Sequence, residues 1–418
     1  MIEYKYKIAI IISNLSGGGA ERFASNLGLL LNQKWDVVNI LYEKQIVYPY
    51  AGKVISINSP PTSGVLNKSY KLISRVIKIK AIKNKERPDV SISIMESSNV
   101  VNVLTKNKNK VILCVRSFMA VSDKRRDFYS MIYKFLIKQL YNKADVIVAV
   151  SKLIARYLTN EFGIKKEKIR VIYNSIDVEQ IKKLAKEDIG AFAKIFINPT
   201  IINSGRLSEP KGQWHLIRSF KMIKTNILNS KLVILGEGEL KDFLLTFAKR
   251  LGFKVWNVWE QKELSDEYDI YFPGFQQNPF KFISRATLFA FPSIEEGFPN
   301  ALIEAMVCGI PVISSDCRSG PREILAPETD CSYKTEKPEY SEYGILMPVC
   351  SRNYRFFNDS LENEEKIWAD TLIKFLKDKE LINKYKNLGK QRAMDFQSKK
   401  IGAEWENLIN EMVVNNKQ

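Results

Sequence analysis

FPSIEEGFPNALIEAMVCGIPVISSD, residues 291–316, reads as a strand, a loop, a helix and a second strand in succession. An apolar run ends near Ser293. The loop EEGFPN follows, and its Gly297 and Pro299 oppose regular helix. Helix starts near Asn300, is stopped by Gly309, and a new apolar run opens at Pro311. Glu296 therefore lies on the loop and Glu304 one turn inside the helix. On an unbroken helix eight residues span ~12 Å; the Gly-Pro loop breaks that geometry and lets both carboxylates face one ligand. The helix start at Asn300 and Ala301 offers N–H groups to a diphosphate. A carboxylate at Glu304 accepts two hydrogen bonds from a diol such as ribose. Two merely solvated glutamates are the weaker reading, because an acid inside an apolar helix is costly if buried and unpaired.

Outward from this passage the same rhythm fills the chain. TIINSG (200–205), KLVILG (231–236), DIYFPG (269–274), TLFAFPS (287–293) and PVISSD (311–316) read as the strands of the second half. KIAIIIS (7–13), VVNILY (37–42), VSISIM (90–95), KVILCV (110–115), DVIVAVS (145–151) and IRVIYN (169–174) are those of the first. Helical stretches separate several of them, which is the pattern of parallel sheets covered by helices. Ile176 to Asn198 is polar and helical, and reads as the junction. Residues 352–367 read as a loop leading to the last helices. Two doubly wound α/β domains predict a ligand cleft between them, at the carboxyl ends of the strands.

Two weaker stations lie at strand ends. SGGGAER (16–22) follows the first strand, and Gly17, Gly18 and Gly19 permit either a tight strand-to-helix turn or a close approach to phosphate. Arg22 stands where a dinucleotide fingerprint has its last glycine. GRLSEPKGQ (205–213) carries Arg206 and Lys211, a forked and a point cation suited to phosphate oxygens.

The 418 residues suit two domains, and 45% hydrophobic content excludes a disordered chain. No run reaches the ~18–20 apolar residues of a spanning helix, and the start reads as a first strand, not a signal peptide. Five cysteines without a CxxC point to a reducing compartment, not to zinc or disulfides. The single histidine, His215, excludes chemistry on paired histidines and reads as a helix-surface or packing residue. The net charge of +18 is lopsided: residues 1–190 hold 33 basic and 16 acidic side chains, residues 191–418 hold 31 and 30. The dense stretches are Lys68 to Arg87 and KRRDFYSMIYKFLIKQLYNK (124–143). In the latter Phe128, Met131, Ile132, Phe135 and Tyr141 recur at helical spacing. The latter reads as a basic helix on its own core or as a patch resting on anionic lipid.

SGGGAER, GRLSEPKGQ, LGEGEL (235–240), PGFQQNP (273–279) and the Glu-x7-Glu pair of EGFPNALIEAMVCGIPVISSD, in that order, resemble the retaining GT-B glycosyltransferases of family 4. DVIVAVSKLIARYL and VIYNSID resemble the segments that close the first domain in that family. The resemblance implies a GT-B fold, two Rossmann-like domains facing across a cleft. The expected division is 1–190 on the acceptor side, 191–395 for the nucleotide sugar, and 396–418 as a helix packing back toward the first domain. It implies a nucleotide-sugar donor, most often UDP-linked. Glu304 would hold the ribose; Glu296, with Gly297, Phe298, Pro299 and Asn300, would address the sugar and distal phosphate. Arg206 and Lys211 would neutralise the departing diphosphate, Gly18 and Gly19 would approach it, and the base would lie against Phe275 and Gln276, near Gly236 and Gly238. Fixed cations aimed at developing charge lower the barrier, and with no Asp-x-Asp in the chain no metal or other cofactor is expected.

Many relatives carry a first-domain histidine near the sugar; this sequence has Arg116 and Ser117 at that loop. Arg116 would touch the donor sugar or an acceptor phosphate but cannot be a general base, and Glu96 is a second polar candidate. The function expected is transfer of a hexose or N-acetylhexosamine to a glycan or polyprenyl-diphosphate-linked oligosaccharide. The enzyme would be cytoplasmic, held peripherally on the anionic inner face of the inner membrane, without nucleic acid. A sugar-nucleotide epimerase and a basic nucleic-acid-binding protein are the alternatives.

Overall fold

The structure, a computed structural model, describes residues 6–60, 65–117, 135, 137–260, 262–353 and 360–414. Its contacts divide the chain into unit 1, Met1–Asn174 with Lys399–Gln418, and unit 2, Ser175–Ser398.

Unit 1 is built on seven strands: β1 Lys7–Ile12, β2 Asp36–Leu41, β3 Lys53–Ser56, β4 Val90–Ile94, β5 Lys110–Val115, β6 Val146–Ala149 and β7 Ile169–Val171. They run parallel in the order β3-β2-β1-β4-β5-β6-β7. Strands buried on both faces read as continuous apolar runs, as KIAIII and KVILCV do. Alternate residues supply the two layers. Ile8, Ile10 and Ile12 pack with Phe23, Leu27 and Leu31 of the helix Gly19–Leu31, and with Ile401, Trp405, Leu408 and Ile409 of the last helix, Ser398–Val414. Ala9 and Ile11 pack on Ile79 and Val101 from the helices Val65–Glu86 and Glu96–Leu104. The strand order reverses between β1 and β4, which opens a crevice at their carboxyl ends.

Unit 2 has eight strands: β8 Thr200–Ser204, β9 Lys231–Leu235, β10 Val255–Asn257, β11 Ile270–Gly274, β12 Leu288–Phe291, β13 Val312–Ser315, β14 Glu339–Tyr340 and β15 Ile345–Met347. Their order is β10-β11-β9-β8-β12-β13-β15-β14, parallel except for β14 against β15. Here the reversal falls between β8 and β12.

The boundary expected at residue 190 lies at Asn174. The helix Val178–Ala185 belongs to unit 2 because its last carbonyls are claimed there. Asn278 Nδ2 donates to Leu184 O at 2.8 Å and Ser284 Oγ to Ala185 O at 2.9 Å. The loop expected over 352–367 is also too long. Glu362 and Glu365 form a capping box that starts the helix Asn363–Lys377. Four strands, β3, β10, β14 and β15, went unforeseen; each is four residues or fewer. Of the second basic stretch, Phe128, Met131 and Ile132 lie outside the described residues. Tyr141 is buried, whereas Phe135 is exposed and no part of a core face.

Candidate active site

The switch point of unit 2 places the loop after β8 beside the loop after β12, and backbone hydrogen bonds lock the two together. Ile294 N donates to Pro210 O at 2.8 Å. Gly212 has φ +60°, and a Cβ there would sit 2.5 Å from Pro292 O, so only glycine permits this approach. The outcome is that Lys211 Nζ lies 2.5 Å from Glu296 Oε1, with the two side chains 25% and 11% exposed. The ammonium also lies 5.5 Å from the Phe291 ring centroid.

Glu296 is held from its other side by the segment after β13. Its N–H donates to Arg318 O at 2.5 Å and its carbonyl accepts from Ser319 N at 2.7 Å. Ser319 Oγ donates to Gly297 O at 2.5 Å. Phe298 is buried against Phe396, ring centroids 5.6 Å apart. Pro299 ends the loop in extended conformation and caps the helix Asn300–Val307 with no side-chain hydrogen bond. Asn300 and Ala301 are partly exposed at the helix start, and Glu304 is buried one turn on. Burial and the neighbouring Glu304 push the Cys308 thiol up to about 12, and burial with Glu296 does the same for Cys317. Both thiols are thus protonated near neutrality and poor nucleophiles.

The remaining positions in unit 2 divide. Arg206, expected to act beside Lys211, is exposed and pairs instead with Glu239, Nε to Oε2 at 3.0 Å. Gly236 and Gly238 have a packing reason. A Cβ at Gly236 would lie 2.0 Å from Gly205 O, and one at Gly238 2.4 Å from Leu207 O. Their absent side chains seat the loop that carries Arg206 and Lys211. Phe275 projects 67% exposed, and Gln276 Nε2 turns back to Pro273 O at 2.8 Å. His215 is a packing residue: it is buried, its Nδ1 2.7 Å from Glu365 Oε1 and its Nε2 2.8 Å from Ser351 O.

In unit 1, Gly17, Gly18 and Gly19 form an exposed turn at the end of β1. Gly17 has φ +92°, and a Cβ at Gly17 or Gly19 would meet nothing within 4 Å. Arg116, at the end of β5, lies over the Phe23 ring at 3.5 Å from its centroid, and its Nη2 donates to Asn174 Oδ1. Its Nε and Nη1 are buried with no hydrogen-bond partner among the described residues. Burial pulls its pKa down to about 10, so it stays cationic at neutral pH. Glu96 Oε1 accepts from Ser117 Oγ at 3.3 Å. Sequence reasoning assigned no contact to Glu239, to Asn174 or to the segment Asp316–Gly320. Only the last left a signal, the acid and glycine of DCRSG directly after a strand.

Comparison with known proteins covers both units. The profile described as Glycosyl transferases group 1 matches residues 191–338, and that described as Glycosyltransferase Family 4 matches residues 17–180. An uncharacterized glycosyltransferase of Methanocaldococcus jannaschii is 35% identical over 405 residues, 90% of this chain and 96% of that protein. The N-acetylgalactosamine-N,N'-diacetylbacillosaminyl-diphospho-undecaprenol 4-alpha-N-acetylgalactosaminyltransferase of Campylobacter jejuni is 32% identical over 400 residues, 94% of this chain and 97% of that one. Among solved structures, HepE of Anabaena in complex with UDP superposes with a TM-score of 0.70 at 17% identity, covering 97% of this chain and 100% of that one.

Proposed function

The chain belongs to the group 1, family 4 glycosyltransferases and has their GT-B fold, and from that membership we propose that it moves a hexose or N-acetylhexosamine, with retention, from a UDP-sugar to a polyprenyl-diphosphate-linked oligosaccharide. The observation carrying the donor half is the meeting of Lys211, Glu296 and an uncapped helix start at the unit 2 switch point. N–H groups of the first turn at Asn300 and Ala301 hold the diphosphate. Glu304 accepts from the ribose hydroxyls, and the exposed Phe275 ring, with Gln276, receives the base. Lys211 moves between Glu296 and the leaving diphosphate, where its charge counts most as negative charge builds up. Glu296, with the backbone of Gly297 to Pro299, addresses the sugar. Arg206 is the outer cation, released from Glu239 when a phosphate competes. No metal enters these roles.

The acceptor half is assigned to unit 1. That unit holds 33 basic against 15 acidic side chains, and unit 2 holds 31 of each. Arg116 offers two buried donors, unpartnered among the described residues, to a phosphate or sugar oxygen, and the turn is open at Gly17 and Gly19, with the Glu21 carboxylate standing over Gly18. The Campylobacter relative is named for an undecaprenol-diphosphate-linked acceptor, which suits a cationic unit. Among the described residues no helix is long and apolar enough to cross a membrane. Tyr70, Ile73 and Ile77 are exposed at i, i+3 and i+7 on the helix Val65–Glu86, beside exposed Lys78, Lys80 and Lys85. Such a face rests on anionic headgroups from the cytoplasmic side, and each nearby lysine contributes ~1 kcal/mol.

A panel of nucleotide sugars, incubated with an undecaprenyl-diphosphate-linked oligosaccharide in EDTA, tests the function. Metal-independent transfer from one UDP-sugar with an α-configured product, read by NMR, is the expected result. UDP-sugar turnover without transfer would favour epimerase chemistry. Sedimentation with phosphatidylglycerol vesicles tests the location: the Ile73→Glu/Ile77→Glu variant should stay in the supernatant while the wild type pellets, and equal partition would refute the assigned face.

A further inference from the structure

Glu296 has no rigid element of its own. It sits between the end of β12 and a helix that begins only at Asn300, so its backbone is fixed by whatever lies alongside. That neighbour is the segment Asp316–Gly320. It exchanges two backbone hydrogen bonds with Glu296 through Arg318 O and Ser319 N, and a third bond joins Ser319 Oγ to Gly297 O. It also comes so close that a Cβ at Gly320, φ +98°, would lie 2.5 Å from Pro299 Cδ and 2.9 Å from Phe298 Cα. The whole loop from Glu296 to Pro299 is therefore laid on this segment.

The segment is anchored by buried charges. Asp316 is fully buried at the end of β13, and its Oδ2 accepts from Arg322 Nε at 3.1 Å, Arg322 Nη2 at 2.6 Å and Thr335 N at 2.9 Å. Arg322 is 2% exposed. Its remaining donors reach Glu339 Oε1 at 3.1 Å, Glu339 Oε2 at 2.8 Å and Thr329 Oγ1 at 3.1 Å. Hydrogen bonds from Arg322 hold the Glu339 carboxyl below its ordinary range. Lys334 Nζ adds a bond to Cys317 O at 3.2 Å. A guanidinium with both carboxylates satisfied in this way is a rigid fork, and it stands six residues from the acid it orients.

We infer that Arg322 is a positioning residue for Glu296, acting through Asp316 and the Asp316–Gly320 segment. The inference rests on the proposed role of Glu296 toward the donor sugar. Arg322 makes no contact with substrate in this scheme; it sets where the Glu296 carboxylate stands. A displacement of ~1 Å at a reacting group can lower a rate ~100-fold. Nucleotide binding rests on Glu304 and the first turn at Asn300 and Ala301, all on the helix Asn300–Val307 and not on the loop that the segment positions, and so should survive.

The test is a mutant cycle on purified full-length enzyme, scored by kcat and KM for the UDP-sugar, UDP affinity by calorimetry, and thermal unfolding. Arg322→Met should lower kcat ~10–100-fold while KM and UDP affinity stay within ~2-fold, the mark of an interaction that matters to the transition state. In a Glu296→Asp background, the same change should lower kcat less than ~3-fold further, because both act through one carboxylate. A purely structural loss would lower both backgrounds equally and weaken UDP binding, and that result overturns the inference. A folded Arg322→Met enzyme with wild-type kcat overturns it too. Should Arg322→Met fail to unfold cooperatively, Arg322→Lys decides, since it keeps the buried positive charge but loses the fork that holds Asp316 Oδ2 through Nε and Nη2. A drop in kcat confined to the Glu296 background supports the inference, and an unchanged kcat refutes it. If Glu296→Asp alone has wild-type kcat, the donor-site reading falls and this inference with it; if it is impaired while Arg322→Met is not, only this inference falls.

Discussion

Replacing Lys211 by Met should separate the structural from the chemical side of the Lys211–Glu296 pair. The change removes a cation 2.5 Å from a carboxylate that is 11% exposed. Breaking a fully buried pair costs ~3–5 kcal/mol because a charge is left unpaired. Water reaches a quarter of the Lys211 side chain, so screening reduces the expected loss to about 2 kcal/mol. That corresponds to roughly 4–8 °C in Tm for a unit of this size. Glu296→Gln should destabilise similarly by leaving the ammonium unpaired. The double variant, Lys211→Met with Glu296→Gln, leaves no orphaned charge and should recover most of the lost Tm. Transfer behaves differently. Loss of one fixed charge aimed at developing negative charge lowers kcat by ~100–1,000-fold, and removing its partner cannot restore it. Differential scanning fluorimetry alongside a UDP-release assay reads both quantities on the same preparations. A double variant that regains wild-type transfer would refute the reasoning, because the pair would then be only a structural clamp. Wild-type kcat in Lys211→Met alone would refute it equally.

Three other outcomes follow from the same geometry. Gly236→Ala should cost ~1–3 kcal/mol in strain, since its Cβ would strike Gly205 O at 2.0 Å at φ +139°; unchanged Tm would contradict the packing role. Gly19→Ala meets nothing within 4 Å, so it should leave Tm alone while lowering transfer, and full activity would remove that turn from the site. Lys83 is buried, with Nζ 2.6 Å from Asn102 Oδ1, and burial pulls its pKa down to about 7. Between about pH 7 and the unfolded value near 10.4, the unfolded chain binds the extra proton, so the Lys83 contribution to stability rises with pH across that window. Lys83→Met should flatten this part of the denaturant-stability profile, and an unchanged slope would refute the assignment.

The donor passage was legible because each of its parts has a local chemical signature. Gly297 and Pro299 forbid helix, Gly309 ends one at φ +78°, and an acid inside NALIEAMV is conspicuous in so apolar a run. The long parallel strands were legible for the same reason, being buried on both faces. What stayed hidden depended on tertiary pairing. KVIS at β3 is a half-exposed edge strand of four residues, and β15 is a strand only because β13 and β14 flank it. The charge count could not distinguish Lys83, buried among asparagine and backbone oxygens, from its exposed neighbours Lys80 and Lys85. Nor could it reveal that Arg206 answers to Glu239, 33 positions away. Gly236 and Gly238 look in sequence like a ligand loop, whereas the backbone that approaches them is that of residues 205–207. Dividing the charge at Asn174 instead of at residue 190 leaves the whole excess on unit 1.

The claim that the β8–β12 switch point of unit 2 holds the nucleotide is tested most directly by calorimetric titration of UDP into three proteins. Wild type and Glu296→Gln should bind UDP alike, and Glu304→Ala should bind ~10–100-fold more weakly, the loss of a charge-assisted bond of ~1.5–3 kcal/mol to the ribose. Unaltered UDP affinity in Glu304→Ala would contradict it.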